Sequence, residues 1–354
     1  MHPLLPKSIP IFAPHFKRKI AMAKLRVAIN GFGRIGRLTA RRILDSRNVE
    51  LVAINDLTDN KTLAHLFKWD TAHNEYPKDV KSTKDSIIIG RKSIKAYSER
   101  DPQKLPWKKL KVDVVLESTG VFRDKDGAGK HLKAGAKKVV ISAPAKGDIK
   151  TIVLGVNQEQ LNKKDKIVSN ASCTTNCLAP MVKVLDSKFG IEKGFLTTIH
   201  AYTADQRIQD APHRDLRRAR AAAQNIIPTS TGAAVAVTKV LPHLDGKLTG
   251  AAMRVPVING SITEFTCVVS KDVTVDKVNN AFKAAAKKDL KGILQYSTDP
   301  LVSTDIIGNP HSCIFDSEFT KVLDGNMVRV LGWYDNEYGY SSRLDDLMQK
   351  ISKF

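Results

Sequence analysis

Apolar positions along the chain fall into two rhythms. Short continuous runs at Lys24–Ile29, Leu51–Ile54, Val112–Glu117 and Lys138–Ser142 predict strands buried on both faces. Stretches with apolar residues three and four apart predict helices, as over Leu38–Leu44 and through Leu178, Met181, Val182, Val184 and Leu185. In the first of these, Arg37, Arg41 and Arg42 take the polar positions. Strand and helix alternate up to about residue 172, the signature of an α/β unit with a parallel, doubly wound sheet. The pattern then changes. Phe195–Tyr202, Gly250–Val257, Ser261–Ser270 and Met327–Trp333 read as longer strands of mixed alternation, interleaved with helices at Gly232–Leu241 and Asp276–Lys287. That rhythm predicts an α+β domain with a mostly antiparallel sheet. A final helical stretch covers Gly339–Ser352.

The length of 354 residues exceeds one typical core and agrees with two domains, and 42% hydrophobic residues is the content of a water-soluble globular chain. No apolar run nears the ~20 residues that span a bilayer. Four cysteines, Cys173, Cys177, Cys267 and Cys313, are too few for a disulfide scaffold and suit a reducing compartment. No second ligand pair accompanies Cys173 and Cys177, so no metal site is expected. Residues 1–23 stand apart. Pro3, Pro6, Pro10 and Pro14 exclude a regular helix there, and Lys7, Lys17, Arg18 and Lys19 face no acid. A dispensable, disordered tail on a cytoplasmic protein is expected; an organellar targeting peptide is the alternative, since Ala21-Met22-Ala23 resembles a small-residue cleavage site.

Candidate chemistry sits at the strand ends. Asn30-Gly31-Phe32-Gly33-Arg34-Ile35-Gly36-Arg37 joins the first strand to the first helix and contains a G-x-G-x-x-G of Gly31, Gly33 and Gly36. Such glycines allow a tight turn and bring a pyrophosphate to a helix N-terminus. Asp56, 25 positions after Gly31, ends the second strand near the ~20-residue offset of a ribose-binding carboxylate. Ser172-Cys173-Thr174-Thr175-Asn176-Cys177 places a thiol at the start of a helix, where free N–H groups and the dipole favour a nucleophilic thiolate. Taken alone, such a cysteine serves equally well as a small buried hydrophobe. His200, closing the apolar run Phe195–Ile199, is the candidate base, as imidazolium beside the thiolate and then as proton acceptor.

Five segments together, namely the glycine loop, Ala171–Cys177, His200-Ala-Tyr-Thr, Asn225-Ile-Ile-Pro and Trp333-Tyr-Asp-Asn-Glu-Tyr-Gly-Tyr, resemble phosphorylating glyceraldehyde-3-phosphate dehydrogenases, in order from about Lys24 to the C-terminus. The resemblance implies a Rossmann-type NAD-binding domain over 24–172 and 337–354 and a catalytic domain over 173–336. It also implies NAD-dependent oxidation of glyceraldehyde 3-phosphate to 1,3-bisphosphoglycerate through a Cys173 hemithioacetal and thioester. The cofactor would meet Gly31, Phe32, Gly33, Arg34, Ile35, Gly36, Asp56, Ser118, Thr119, Gly120 and Tyr340, with Asn336 anchoring the nicotinamide carboxamide. Thr203, Asp205 and Arg254 would line the pocket for the substrate's phosphate, and Ser172, Thr174, Thr231 and Gly232 would hold the attacking phosphate. A homotetramer is implied as well, with residues 203–227 at an interface.

Two departures bear on specificity. Ala211-Pro212 is a hybrid of the Leu-Pro usual in NAD-specific members and the Ala-Ser of NADP-using ones, which with Asp56 predicts NAD preference and residual NADP use. Val257-Ile258-Asn259-Gly260 stands where the family usually has Thr-Pro-Asn-Val, a difference read as touching packing or subunit contacts more than chemistry. Two other functions remain in view: erythrose-4-phosphate dehydrogenase, which hydrolyses the thioester, and a basic polyanion-binding protein on the same scaffold. The net charge of +21 and the cluster Arg214, Arg217, Arg218 and Arg220 invite the latter. Aromatics at 6% with no stacking pattern limit nucleic-acid binding to a weak, salt-sensitive side activity.

Overall fold

The structure, a computed structural model, describes residues 24–354, so the expectations for residues 1–23 lie outside the described residues. The chain opens with β1 (Leu25–Asn30), α1 (Arg34–Asp45), β2 (Val49–Asn55) and α2 (Asn60–Lys68). Three short strands follow, β3 (Val80–Ser82), β4 (Ser86–Ile89) and β5 (Lys92–Tyr97), then β6 (Val114–Glu117), α3 (Lys125–Lys133), β7 (Lys138–Ile141) and β8 (Ile167–Ser169). They form one sheet in the order β3-β4-β5-β2-β1-β6-β7-β8. From β5 to β8 all pairings are parallel, whereas β3 and β4 add an antiparallel edge. That edge departs from the simple alternation read in the sequence. Its strands are three to six residues long and joined by tight turns, too short to leave a period.

The carboxyl ends of β1, β2 and β6 converge on one buried polar network. Asn30 donates to Glu117 (2.6 Å), Asn55 donates to Asn30 (2.7 Å), and His131 Nε2 lies 2.9 Å from the Glu117 carboxylate. Trp107 Nε1 donates to His131 Nδ1 at 3.0 Å, which puts the ring proton on Nε2, facing Glu117. Every buried polar atom of that carboxylate thus has a donor, and the three strand ends are held together under the loops they emit.

In α1, the arginines read as polar-face residues behave differently. Arg37 and Arg41 are buried. Arg37 donates to the Phe32 carbonyl and Arg41 to the carbonyls of Phe67, His73 and Asn74, so both guanidinium groups tie loop backbone to the helix. Arg41 also lies over the Phe67 and Tyr76 rings.

The second half begins with α4 (Cys173–Phe189), followed by β9 (Ile191–Ala201), β10 (Ile227–Ser230), α5 (Ala233–Val240), β11 (Leu248–Val255), β12 (Ser261–Val269) and α6 (Val275–Lys287). It ends with β13 (Leu294–Ser297), β14 (Cys313–Asp316), β15 (Lys321–Leu323), β16 (Met327–Tyr334) and α7 (Tyr338–Ile351). The sheet order is β10-β11-β9-β12-β16-β14-β13, with β15 on β16. Only β9–β11 and β13–β14 are parallel, so the sheet is mostly antiparallel. One core gathers α4, α5, α6 and the inner face of this sheet around Leu178, Met181, Leu185, Phe265, Phe282 and Phe315. Another fills the first sheet's face, where Leu344, Leu347 and Met348 of α7 pack beside α1. Cys173 touches both cores. Among the described residues, no helix is long and apolar enough to cross a membrane.

Candidate active site

The glycine loop forms where β1 ends and α1 begins. At Gly31 φ is +94°, and an added Cβ would lie 2.6 Å from the Thr119 nitrogen. At Gly36 a Cβ would lie 2.1 Å from the Gly31 carbonyl oxygen. Both glycines are therefore dictated by close approach of backbone to backbone. Around Gly33, by contrast, a Cβ would meet nothing within 4 Å. The gap opens onto the first turn of α1, which has no capping side chain and no acidic residue, so its free N–H groups suit an anion. Asp56 reaches this loop: its carboxylate accepts the Phe32 N–H at 2.7 Å and the Thr58 N–H at 3.0 Å. Ser118 braces it from the other side, donating to the Gly31 carbonyl at 2.7 Å, and Thr119 and Gly120 stand exposed at the rim. The room at Gly33, the bare helix end and the adjacent carboxylate fit a dinucleotide.

Four residues expected to meet the cofactor have their side chains engaged elsewhere. Phe32 is buried and stacks on Phe67. Arg34 is paired with Asp70 (2.6 Å) and with Glu337, which hold it protonated and join the loop to the start of α7; Ile35 packs against the first core. Tyr340 is buried with its hydroxyl donating to the Ala171 carbonyl at 2.8 Å.

That tyrosine supports the turn that presents the thiol. Ala171 has φ of +56°, a left-handed conformation that costs a non-glycine residue of the order of 1 kcal/mol. It is held by Tyr340 and by the Ser169 hydroxyl, which accepts the Ala171 N–H at 3.0 Å. Ser172 then caps α4, accepting the Thr175 N–H at 3.1 Å, and Cys173 is the helix's first residue. Its Sγ lies 3.4 Å from His200 Nε2, although 27 residues separate the two.

On the far side of the ring, His200 Nδ1 is 2.7 Å from the Ala201 carbonyl oxygen and 2.7 Å from Arg254 Nη1, which itself donates to Ala201 at 3.0 Å. Parallel strands β9 and β11 set this contact by placing His200 and Arg254 in register. Burial, and then the Arg254 charge, push the imidazolium down to about 3. Burial also pushes the Cys173 thiol up, opposed by Arg254 and by the Thr174 N–H and hydroxyl. Burial thus weighs at both groups against the ion pair expected from the helix terminus, while Arg254 and the Thr174 N–H favour the thiolate.

The expected anion pockets are partly assembled. Arg254 projects between β9 and β11 at the thiol–imidazole pair. Thr203 follows β9, its N–H on Gln206. Asp205, expected to share a pocket with Arg254, is instead paired with Arg218, which also donates to the Thr229 hydroxyl at 2.9 Å. Sequence reasoning missed Arg218 as a site residue, seeing it only within a basic cluster. Its placement depends on β10 carrying Thr229 back beside β11, which no local pattern encodes. Of that cluster, Arg220 is also paired, with Asp210 at 2.9 Å. Ser172 is half-buried at the mouth, whereas Thr174 is buried with its hydroxyl 2.9 Å from Tyr334. Thr231 accepts the Ala233 N–H at 3.2 Å, and Gly232 caps α5 with no side-chain partner.

Asn336, between β16 and α7, is buried, and its Oδ1 accepts from Gly260 N–H at 3.2 Å and the Ser261 hydroxyl at 2.8 Å. Asn259 donates to Asp335 at 2.9 Å. The segment Val257–Gly260, set aside in the sequence as packing, thus runs directly against the expected cofactor anchor. Among the described residues, no three His, Cys, Asp or Glu side chains cluster as a metal site would need.

Comparison with known proteins identifies the family. Residues 25–125 match the family model described as glyceraldehyde 3-phosphate dehydrogenase, NAD binding domain, and residues 172–336 match its C-terminal domain. The chain is 58% identical over 325 residues to glyceraldehyde-3-phosphate dehydrogenase 2 of Streptomyces avermitilis, covering 91% of this chain and 97% of that protein. It is 57% identical over 336 residues to the glyceraldehyde-3-phosphate dehydrogenase of Borreliella burgdorferi (93% and 100%) and 55% identical over 336 residues to that of Mycobacterium avium (93% and 99%). The two sheets, the cofactor loop and these matches lead to one conclusion: the chain belongs to the glyceraldehyde-3-phosphate dehydrogenase family and is an NAD-dependent oxidoreductase.

Proposed function

We propose that this chain oxidises glyceraldehyde 3-phosphate to 1,3-bisphosphoglycerate, with inorganic phosphate as acyl acceptor. The observation that carries the proposal is Cys173 Sγ at 3.4 Å from His200 Nε2, with the Arg254 guanidinium at the ring's other nitrogen. The glycine loop, Asp56 and Asn336 would hold NAD, which when bound takes up a hydride.

In the competent tautomer His200 donates its Nδ1–H to Ala201 and Arg254 Nη1 directs its N–H to that carbonyl rather than to Nδ1, leaving the Nε2 lone pair for the thiol proton. Cys173 sulfur bonds to the aldehyde carbon, and the imidazolium formed at Nε2 returns the proton to the new alkoxide, giving a hemithioacetal. His200 takes that hydroxyl proton again as the carbon is oxidised to a thioester. The N–H groups at the start of α4 would stabilise the developing oxyanion. An oxygen of inorganic phosphate then attacks the thioester carbon, the C–S bond breaks, and Cys173 leaves as thiolate to be reprotonated from His200. Arg254 and Thr203 would bind the substrate's phosphate. Arg218 joins them in the reading, and Ser172, Thr174 through its N–H, Thr231 and Gly232 would hold the attacking one.

Asp56 beside the loop favours a free ribose hydroxyl over a 2′-phosphate, which supports NAD preference. Exposed Ile208, Leu216 and Ile226 within 203–227 support burial of that segment against further copies of the chain, as a homotetramer would provide. The free cysteines suit the cytoplasm.

The test is NADH formation from glyceraldehyde 3-phosphate and NAD with and without inorganic phosphate. Turnover that requires phosphate supports the proposal. Phosphate-independent turnover replaces it with a hydrolytic, erythrose-4-phosphate-type reaction, and NAD binding without turnover replaces it with a binding role.

A further inference from the structure

We infer that Ser261 is a positioning residue that joins the cofactor anchor to the strand carrying the base, an inference that rests on the dehydrogenase reading above. The β9–β12 ladder stops at Ile199–Ile262, leaving His200 and Ala201 beyond it on that side. Ser261, wholly buried, serves the gap with its side chain. Its Oγ accepts the Ala201 N–H at 3.0 Å. With that neighbour fixed as a donor, the hydroxyl proton goes to Asn336 Oδ1, 2.8 Å away.

Asn336 Oδ1 therefore has two converging donors, Ser261 O–H and Gly260 N–H. A flipped amide would set its NH₂ against the Gly260 N–H and the Ser261 proton, so the flip is excluded. The amide nitrogen is left to face away from both, which gives the anchor a fixed polarity: it offers a donor, suited to the carbonyl oxygen of a carboxamide. The same hydroxyl holds the N–H of Ala201, the residue whose carbonyl, on the other side of its Cα, lies 2.7 Å from His200 Nδ1 and helps select the base's tautomer. One buried hydroxyl thus sets both the anchor for the nicotinamide ring and the backbone acceptor behind His200.

The experiment compares wild type, Ser261→Ala, Asn336→Ala and the double variant, with Ser261→Cys, which keeps the volume, used if the alanine variant does not fold. NAD KM, kcat and the ring face that receives deuterium from 1-deuterated glyceraldehyde 3-phosphate are measured. Loss of one buried hydrogen bond corresponds to roughly a tenfold rise in NAD KM. Ser261→Ala is expected to show that rise, a lower kcat and detectable delivery to the second face. In the Asn336→Ala background its effect on KM and face selection should vanish, while the kcat effect through Ala201 persists. Equal KM effects in both backgrounds, or a lower kcat with unchanged KM and face selection, would overturn the inference. Failure of wild type to require phosphate would instead sink the reading beneath it.

Discussion

Replacing Arg254 with methionine keeps the length of the side chain and removes its charge, and the structure fixes the direction of three effects. His200 is held at about 3 against an ordinary 6.5, with burial the larger cause and Arg254 the next. A full charge ~4 Å from the ring at an effective dielectric near 20 is worth ~4 kcal/mol at most. Because burial, the larger cause, remains, methionine should raise His200 while leaving it below its ordinary value. The same arginine works against burial at Cys173, so its loss moves the thiol further up. Alkylation of Cys173 by iodoacetamide, followed against pH, should therefore slow at neutral pH and shift its midpoint upward. Loss of charge-assisted bonds to a phosphate, ~3 kcal/mol, should lower kcat/KM for glyceraldehyde 3-phosphate by about a hundredfold. Unphosphorylated glyceraldehyde should lose much less. Equal losses for both aldehydes would refute the phosphate assignment, and an alkylation midpoint that moves down would refute the electrostatic argument.

Two more outcomes concern stability and the loop. Asp345, buried in α7 with Oδ1 unpartnered, is pushed up to about 6 by burial; its folded form binds the extra proton between 3.8 and about 6, so the carboxylate destabilises the fold above that range. Asp345→Asn should raise the thermal midpoint at pH 7.5, by up to about 3 kcal/mol of stability, and the gain should disappear below pH 3.8; an equal gain at both pH values would contradict it. Gly36→Ala drives a Cβ into the Gly31 carbonyl and should cost about 1–3 kcal/mol in chemical denaturation while raising NAD KM; wild-type values for both would show that α1 can move away.

Much of the scaffold was legible because its periods are strong. The runs that became β1, β2, β6 and β7 are apolar on both faces, and α6 begins one residue before the predicted Asp276. The glycine loop and Cys173 were legible for the same local reason: each is a strand end followed at once by a helix start. His200 beside Cys173 needed the resemblance, since nothing within either segment specifies the 3.4 Å approach. Arg218 and Ser261 escaped as site residues, one read only within a basic cluster and the other only as the start of a strand. Each acts through a partner remote in sequence, Asp205 and Thr229 for one, Ala201 and Asn336 for the other. The burial that weighs against an ion pair at Cys173 and His200 was not legible, because a helix terminus is visible in sequence while the depth around it is not.

Tyr340 gives the site a dependence on the order of synthesis. The strained Ala171 turn that presents the thiol takes one of its two supports from a hydroxyl 169 residues further on, in a helix that packs against α1. All strands of both sheets precede α7 in the chain, so both sheets can form as units before α7 docks. The nucleophile loop then lacks the tyrosine that holds its carbonyl, and α1 lacks its neighbour. A chain ending before α7 carries every residue of the thiol–imidazole pair, yet its reactive cysteine is not locked until Tyr340, in the first turn of α7, docks.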